Sequence, residues 1–310
     1  MAKKSRPKAT PPEKLYPLFD SHTHLYAAYR KGARAGDSGA NDGAAHEAAD
    51  LETAELTYEQ AVRNLMERAA GSGLAGVCTI GDGMDETERA LEAAHFHPRV
   101  WAACAIHPTR AHELDSAARD RLQEMAQDPR CVAIGETGLD AYWLDKDEST
   151  PSMEVQEEAL RWHIDLAVNS GKPLMIHNRE ADADLLHILA DAPQPTNVIL
   201  HCFSSPLDVA KEALDRGWIL SFAGNSTFKT NVELREAARI APAGQILIET
   251  DAPFMTPEPF RGQRNEPSYV GYTARVLADV RDMNAAAFGQ QVTDNALRIF
   301  GLGELTDVGE

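Results

Sequence analysis

The sequence predicts a (β/α)8 barrel, and three observations carry the prediction. Eight short apolar runs recur along the chain: Leu18–Leu25, Leu74–Gly81, Arg99–His107, Cys131–Leu139, Lys172–His177, Asn197–Phe203, Trp218–Ala223 and Gln245–Thr250. Stretches with helical apolar spacing lie between them, as expected of parallel strands covered on both faces. The whole series occupies roughly the 250 residues that such a barrel needs. A doubly wound open sheet is the structural alternative, but no GxGxxG turn follows the first run, which counts against its dinucleotide-binding form.

Taken in order, residues 1–16 read as a disordered basic tail. Lys3, Lys4, Arg6 and Lys8 are not followed by the apolar stretch of a secretory signal. Residues 17–303 form the expected single barrel domain. It is interrupted after the first strand by a Gly/Ala-rich insertion, 29–56. Between Asp37 and Glu59 there are seven acidic residues and no basic one, so the segment is either a solvated surface loop or a flap over the barrel mouth. Helices are expected at Tyr58–Ala70, Ser116–Gln127, Glu154–Ser170, Ala181–Leu189, Leu207–Arg216 and Val232–Ile240. The proline-rich stretch Phe254–Ser268 follows the last strand and therefore belongs at the mouth. Tyr269–Asn284 and Gln290–Phe300 read as closing helices, and 304–310 as a short tail.

Composition narrows the function classes. With 43% hydrophobic and 25% charged residues, the chain is an ordinary globular mixture. It has no apolar run approaching the roughly 20 residues of a membrane helix. Four cysteines without CxxC spacing argue against a disulfide framework or cysteine zinc site and make a reducing cytoplasm the expected compartment. The net charge of −18 disfavours a tight, non-specific nucleic-acid binder. It leaves room for an enzyme that meets a phosphate at one metal-loaded cleft. A monomer is the default expectation.

Catalytic groups of such barrels gather at the C-terminal strand ends. The first strand ends in Asp20-Ser-His-Thr-His24, where residues two apart share a face and can aim two imidazoles at one point. The fourth ends in Gly135-Glu-Thr-Gly-Leu-Asp140, the fifth in Ile176-His-Asn-Arg179, the sixth in His201-Cys-Phe-Ser204 and the eighth in Glu249-Thr-Asp-Ala-Pro253. Each of these motifs is weak alone. Together they place His22, His24, Glu136, His177, His201 and Asp251 at corresponding positions on five strands. Mixed N/O donors of this kind suit Zn²⁺, Mn²⁺ or related ions, and six can hold two.

With Ile106-His-Pro108, Ser221-Phe-Ala-Gly-Asn225, Thr227-Phe-Lys229 and Arg264-Asn-Glu-Pro267, this series resembles the TatD family of metal-dependent hydrolases from about Leu18 to Gly303. The resemblance implies a 3′–5′ exonuclease on single-stranded DNA or RNA ends with two divalent ions, Mg²⁺, Mn²⁺ or Zn²⁺. In the family pattern, His22, His24, Glu136 and Asp251 hold one ion, and Glu136, His177 and His201 the other. Glu136 then bridges, where many relatives in the wider superfamily use a carboxylated lysine. A metal-activated water attacks and Asp251 accepts its proton. His107 is assigned to the substrate phosphate or leaving group, with Arg179, Ser204, Asn225 and Arg264 as substrate contacts and Lys229 a weaker one. Trp143 either stacks on a base or closes the mouth loop. Two features depart from the pattern: Ser205 stands where the family usually has Gly, and the 29–56 insertion is long. A binuclear hydrolase of a small amide, lactone or aminoacyl ester is the rival reading. A non-enzymatic, protein-binding member is the third.

Overall fold

All eight apolar runs form strands. They are β1 (Leu18–Thr23), β2 (Leu74–Thr79), β3 (Val100–Ala103), β4 (Cys131–Asp140), β5 (Leu174–Arg179), β6 (Val198–Leu200), β7 (Ile219–Phe222) and β8 (Ile246–Ile248). The computed structural model describes residues 8–15, 17–30 and 56–303. The strands pair in sequence order, each parallel to its neighbour, which makes the fold a (β/α)8 barrel.

Most connections carry the helices that bury the outer strand faces: α1 (Leu25–Tyr29), α2 (Tyr58–Gly71), α3 (Met84–Phe96), α4 (Ser116–Met125), α5 (Met153–Ser170), α6 (Asp182–Asp191), α7 (Leu207–Asp215) and α8 (Val232–Ile240). Two more, α9 (Val270–Val280) and α10 (Ala285–Ile299), close the fold. Helix α3 is not among the helices expected from the sequence. Its buried face is mostly Ala90, Ala93 and Ala94, small residues that give a faint apolar signal. His95 is in its last turn, 2.9 Å from the Asp128 carboxylate.

Alternation along the strands divides the core in two. Val77, Val100, Leu174, Ile176 and Ile246 face the helices, whereas Phe19, Cys78, Trp101, Met175, Ile199 and Leu247 fill the barrel. Phe300, just past α10, plugs the end opposite the catalytic rim, with its ring 5.8 Å from Phe19.

Strands β8 and β1 meet along a seam stitched largely by side chains. The Asp20 carboxylate accepts from the Thr250 N–H at 2.8 Å and from the Thr250 hydroxyl. Ser21 Oγ donates to the Ile248 carbonyl at 2.9 Å. Just beyond the strands, the Asp251 N–H donates to His22 and the His24 N–H to Ala252. The polar run Asp20-Ser-His-Thr-His24 therefore closes the barrel as well as presenting imidazoles.

Residues 8–15, expected from the sequence to belong to a tail, lie along α9. There Tyr272 donates to the Thr10 carbonyl at 2.8 Å and Arg275 to Glu13 at 2.9 Å. The flap reading of 29–56 concerns a segment almost wholly outside the described residues, as does the 304–310 tail.

Candidate active site

Most strand ends bring one or two side chains to the rim, and local sequence explains how. Gly138 sits at φ +148° in β4, where a Cβ would fall 1.9 Å from the His177 carbonyl oxygen. Only glycine lets β4 and β5 approach so closely, and the approach sets Glu136 beside His177. His22 in β1 and His24, the first residue past it, bring their Nε2 atoms within 3.1 Å of each other.

The six donors predicted from sequence converge. On one side, His22 Nε2 is 3.3 Å from Glu136 Oε2 and 3.7 Å from Asp251 Oδ1, and His24 Nε2 is 3.4 Å from Asp251 Oδ1. On the other, Glu136 Oε1 is 2.8 Å from His177 Nδ1 and 2.7 Å from His201 Nε2. Tetrahedral ligands at roughly 2.0–2.1 Å from a divalent ion lie about 3.3 Å from one another. The first set has that spacing. The second is a little tighter, and its carboxylate and two imidazole nitrogens face one another. Four imidazoles and two carboxylates, with ring nitrogens turned together, are a donor set that fits divalent ions.

The electrostatics agree. Burial works to raise the Glu136 carboxyl, but the His201, His107 and His22 rings and the His177 hydrogen bond outweigh it, so it lies well below the usual carboxylate range. Asp251 is likewise pushed up by burial and more strongly down by the His24 hydrogen bond and the His22, His24 and His201 rings. Both are ionised near neutral pH.

The cavity above these groups has a volume of about 260 Å³ and reaches Trp143, Arg179, Ser204, Phe254 and Met255. His107 lies four residues past β3, where its Nδ1 accepts the Thr109 N–H at 3.2 Å. Its Nε2 is 3.5 Å from Glu136 Oε1 and faces the donors. The Arg179 guanidinium lies 3.5 Å from the centroid of the Tyr142 ring while bordering the cavity.

Two expected substrate contacts are corrected. Arg264 does not line the cavity; it donates to the carbonyls of Ala27 at 3.0 Å and Ala28, pinning α1, the short helix after β1. Asn225 is buried behind Ser204 and donates to the Ser204 hydroxyl at 3.0 Å, so it holds that residue from below.

Sequence reasoning missed the carboxylates outside the cluster. Asp140 Oδ2 is 2.9 Å from His177 Nε2, Glu249 Oε1 is 3.3 Å from His201 Nδ1, and Asp82 Oδ1 is 3.5 Å from His24 Nδ1. Asp140 lies four residues after Glu136, and Glu249 two before Asp251.

A family model described as TatD related DNase matches residues 19–301. The chain belongs to this TatD family. It is 43% identical over 92% of its length to an "uncharacterized metal-dependent hydrolase TatD" of Mycobacterium tuberculosis, covering 98% of that protein. It is 33% identical to a "3'-5' ssDNA/RNA exonuclease TatD" of Musicola paradisiaca, over 77% of this chain and 92% of the relative. Among solved structures it resembles YjjV, a TatD homolog of Escherichia coli, with a TM-score of 0.71 and 25% identity over 78% of this chain and 92% of the other. It is therefore a metal-dependent hydrolase of the TatD type.

Proposed function

We propose that this hydrolase removes nucleotides from the 3′ end of single-stranded DNA or RNA, with two divalent ions held by His22, His24, Glu136 and Asp251 on one side and Glu136, His177 and His201 on the other. The observation that carries the reading is the convergence of these six donors beneath one small cavity, which five of them line with His22 buried behind, bordered by a guanidinium and aromatic rings. The cavity of about 260 Å³ lies just below the roughly 300–1,000 Å³ range of small-molecule pockets, a size suited to one terminal residue and not to a duplex. The exonuclease name of the Musicola relative points to the same substrate.

Bound divalent ions would supply a nucleophilic hydroxide near neutral pH and offset charge on the phosphoryl oxygens. The chain's own residues do the rest. Asp251, ionised and 3.4 Å from His24, takes up the proton of the attacking water. His107 accepts the Thr109 N–H at Nδ1, so its neutral ring carries a proton on Nε2, which donates to a phosphate oxygen. Arg179 is oriented by Tyr142 to meet the phosphate from the rim. Trp143 offers a face to the terminal base.

The test uses metal-free protein reconstituted with Mg²⁺, Mn²⁺ or Zn²⁺ and a single-stranded oligonucleotide labelled at the 5′ end. The expected result is a metal-dependent ladder shortening from the 3′ end. Asp251→Asn should lower kcat by about 10²–10⁴-fold, the usual worth of a general base. Turnover of aminoacyl or lactone esters with an intact oligonucleotide would establish the rival carbonyl chemistry instead.

A further inference from the structure

Three carboxylates outside the cluster treat the donor histidines unequally. His177 and His201 each turn the second ring nitrogen onto a fully buried carboxylate by a hydrogen bond: His177 Nε2 to Asp140 at 2.9 Å and His201 Nδ1 to Glu249 at 3.3 Å. Both carboxylates are themselves fixed. Asp140 accepts the Trp143 N–H at 3.1 Å through its other oxygen. Glu249 accepts the Cys202 N–H at 2.7 Å and the Ser221 hydroxyl.

The β1 pair is held differently. His22 Nδ1 faces the thioether of Met175 at 3.1 Å, a weak acceptor with no charge. His24 Nδ1 has Asp82 at 3.5 Å, and that carboxylate is 43% exposed. One donor pair is thus oriented and charge-compensated by rigid anions, and the other is not. A carboxylate behind a ligating histidine fixes the ring and strengthens it as a donor, and losing such a partner typically costs 10–100-fold in metal affinity.

We propose that the two ion positions are graded: the Glu136/His177/His201 side is a high-affinity resident site, and the His22/His24/Asp251 side a lower-affinity, exchangeable one. This rests on the two-ion reading above. Asp140 and Glu249 are then positioning residues for the resident ion, acting through His177 and His201.

The experiment is calorimetric titration of metal-free protein with Zn²⁺, with bound zinc counted after dialysis. Wild type should take up two equivalents, the first at least ten-fold tighter than the second. His24→Asn should keep the tight equivalent and lose the weak one. Glu249→Gln should weaken the tight equivalent by about 10–100-fold, while Asp82→Asn leaves it unchanged. Because Glu249 is buried, Asp140→Asn on the neighbouring histidine gives a second, independent route to the same loss. Two equivalents of equal affinity would overturn the grading and leave the two-ion reading standing, as would loss of the tight equivalent in His24→Asn. An unchanged tight equivalent in both Glu249→Gln and Asp140→Asn would overturn the role of the carboxylates. No bound zinc at all would overturn both readings.

Discussion

His163 shows how a single buried ring sets a pH dependence. It is fully buried in α5 beneath the rim, with Nε2 accepting the Ile106 N–H at 3.3 Å and Nδ1 facing the Ala159 carbonyl at 2.7 Å. Burial pushes its pKa down to about 4, and the Ala159 carbonyl only partly opposes that. The unfolded ring takes up a proton from about pH 6.5 downward, whereas the folded ring resists until about pH 4. The stability it confers is therefore complete above pH 6.5 and declines as pH falls toward 4, by up to about 1.4 kcal/mol per pH unit. Urea midpoints of wild type and His163→Gln, measured from pH 7 to 4.5, should converge as pH falls. Parallel curves would show that this ring does not titrate across folding.

Among the elements, the turn after β1 depends on a distant partner. Arg264, in the segment after β8, donates to the Ala27 and Ala28 carbonyls, and burial lowers its pKa. Arg264→Met should cost about 1–3 kcal/mol of stability, the usual penalty for stranding buried acceptors, with the salt dependence of oligonucleotide KM unchanged. A tenfold rise in KM at unchanged stability would instead return Arg264 to the substrate. The same contrast explains how far the sequence could be read. Strands buried on both faces announce themselves as apolar runs, and a polar residue ending such a run is conspicuous, so His22, His24, Glu136, His177, His201 and Asp251 were visible together. Helix α3 was not, because alanines do most of its packing. Arg264 and Asn225 were misread because a polar residue at the rim looks the same in sequence whether it faces the cleft or a backbone carbonyl behind it. Asp140 and Glu249 were quoted in the motifs but given no role, since partnership with a histidine on another strand appears only once the barrel closes.

For the whole molecule, charge and cavity size together set how a polyanion is met. A surface carrying −18 repels nucleic acid at a distance, and a cavity of about 260 Å³ leaves contact to the chain end. Single strands give a log–log salt slope of about −0.7 for each phosphate neutralised. One or two such contacts predict a slope of about −0.7 to −1.4 for kcat/KM against salt with the 5′-labelled substrate. A slope of −4 or steeper would require a long basic track and would sink recognition by the terminus alone.

The seam between β8 and β1 also orders events in time. Asp20 and Thr250 are 230 residues apart, so joining them closes a loop nearly as long as the domain, and contacts of such separation are slow to form. Glu136 and His177 stand on β4 and β5 and His201 directly follows β6, so the three can meet once the middle of the chain has folded. His22 and His24 wait for Asp251, which arrives only after β8. A polypeptide that ends before that strand carries five of the six donors and lacks Asp251, the proposed base. Under the proposed mechanism, an unfinished chain therefore has no group to take up the proton of the attacking water.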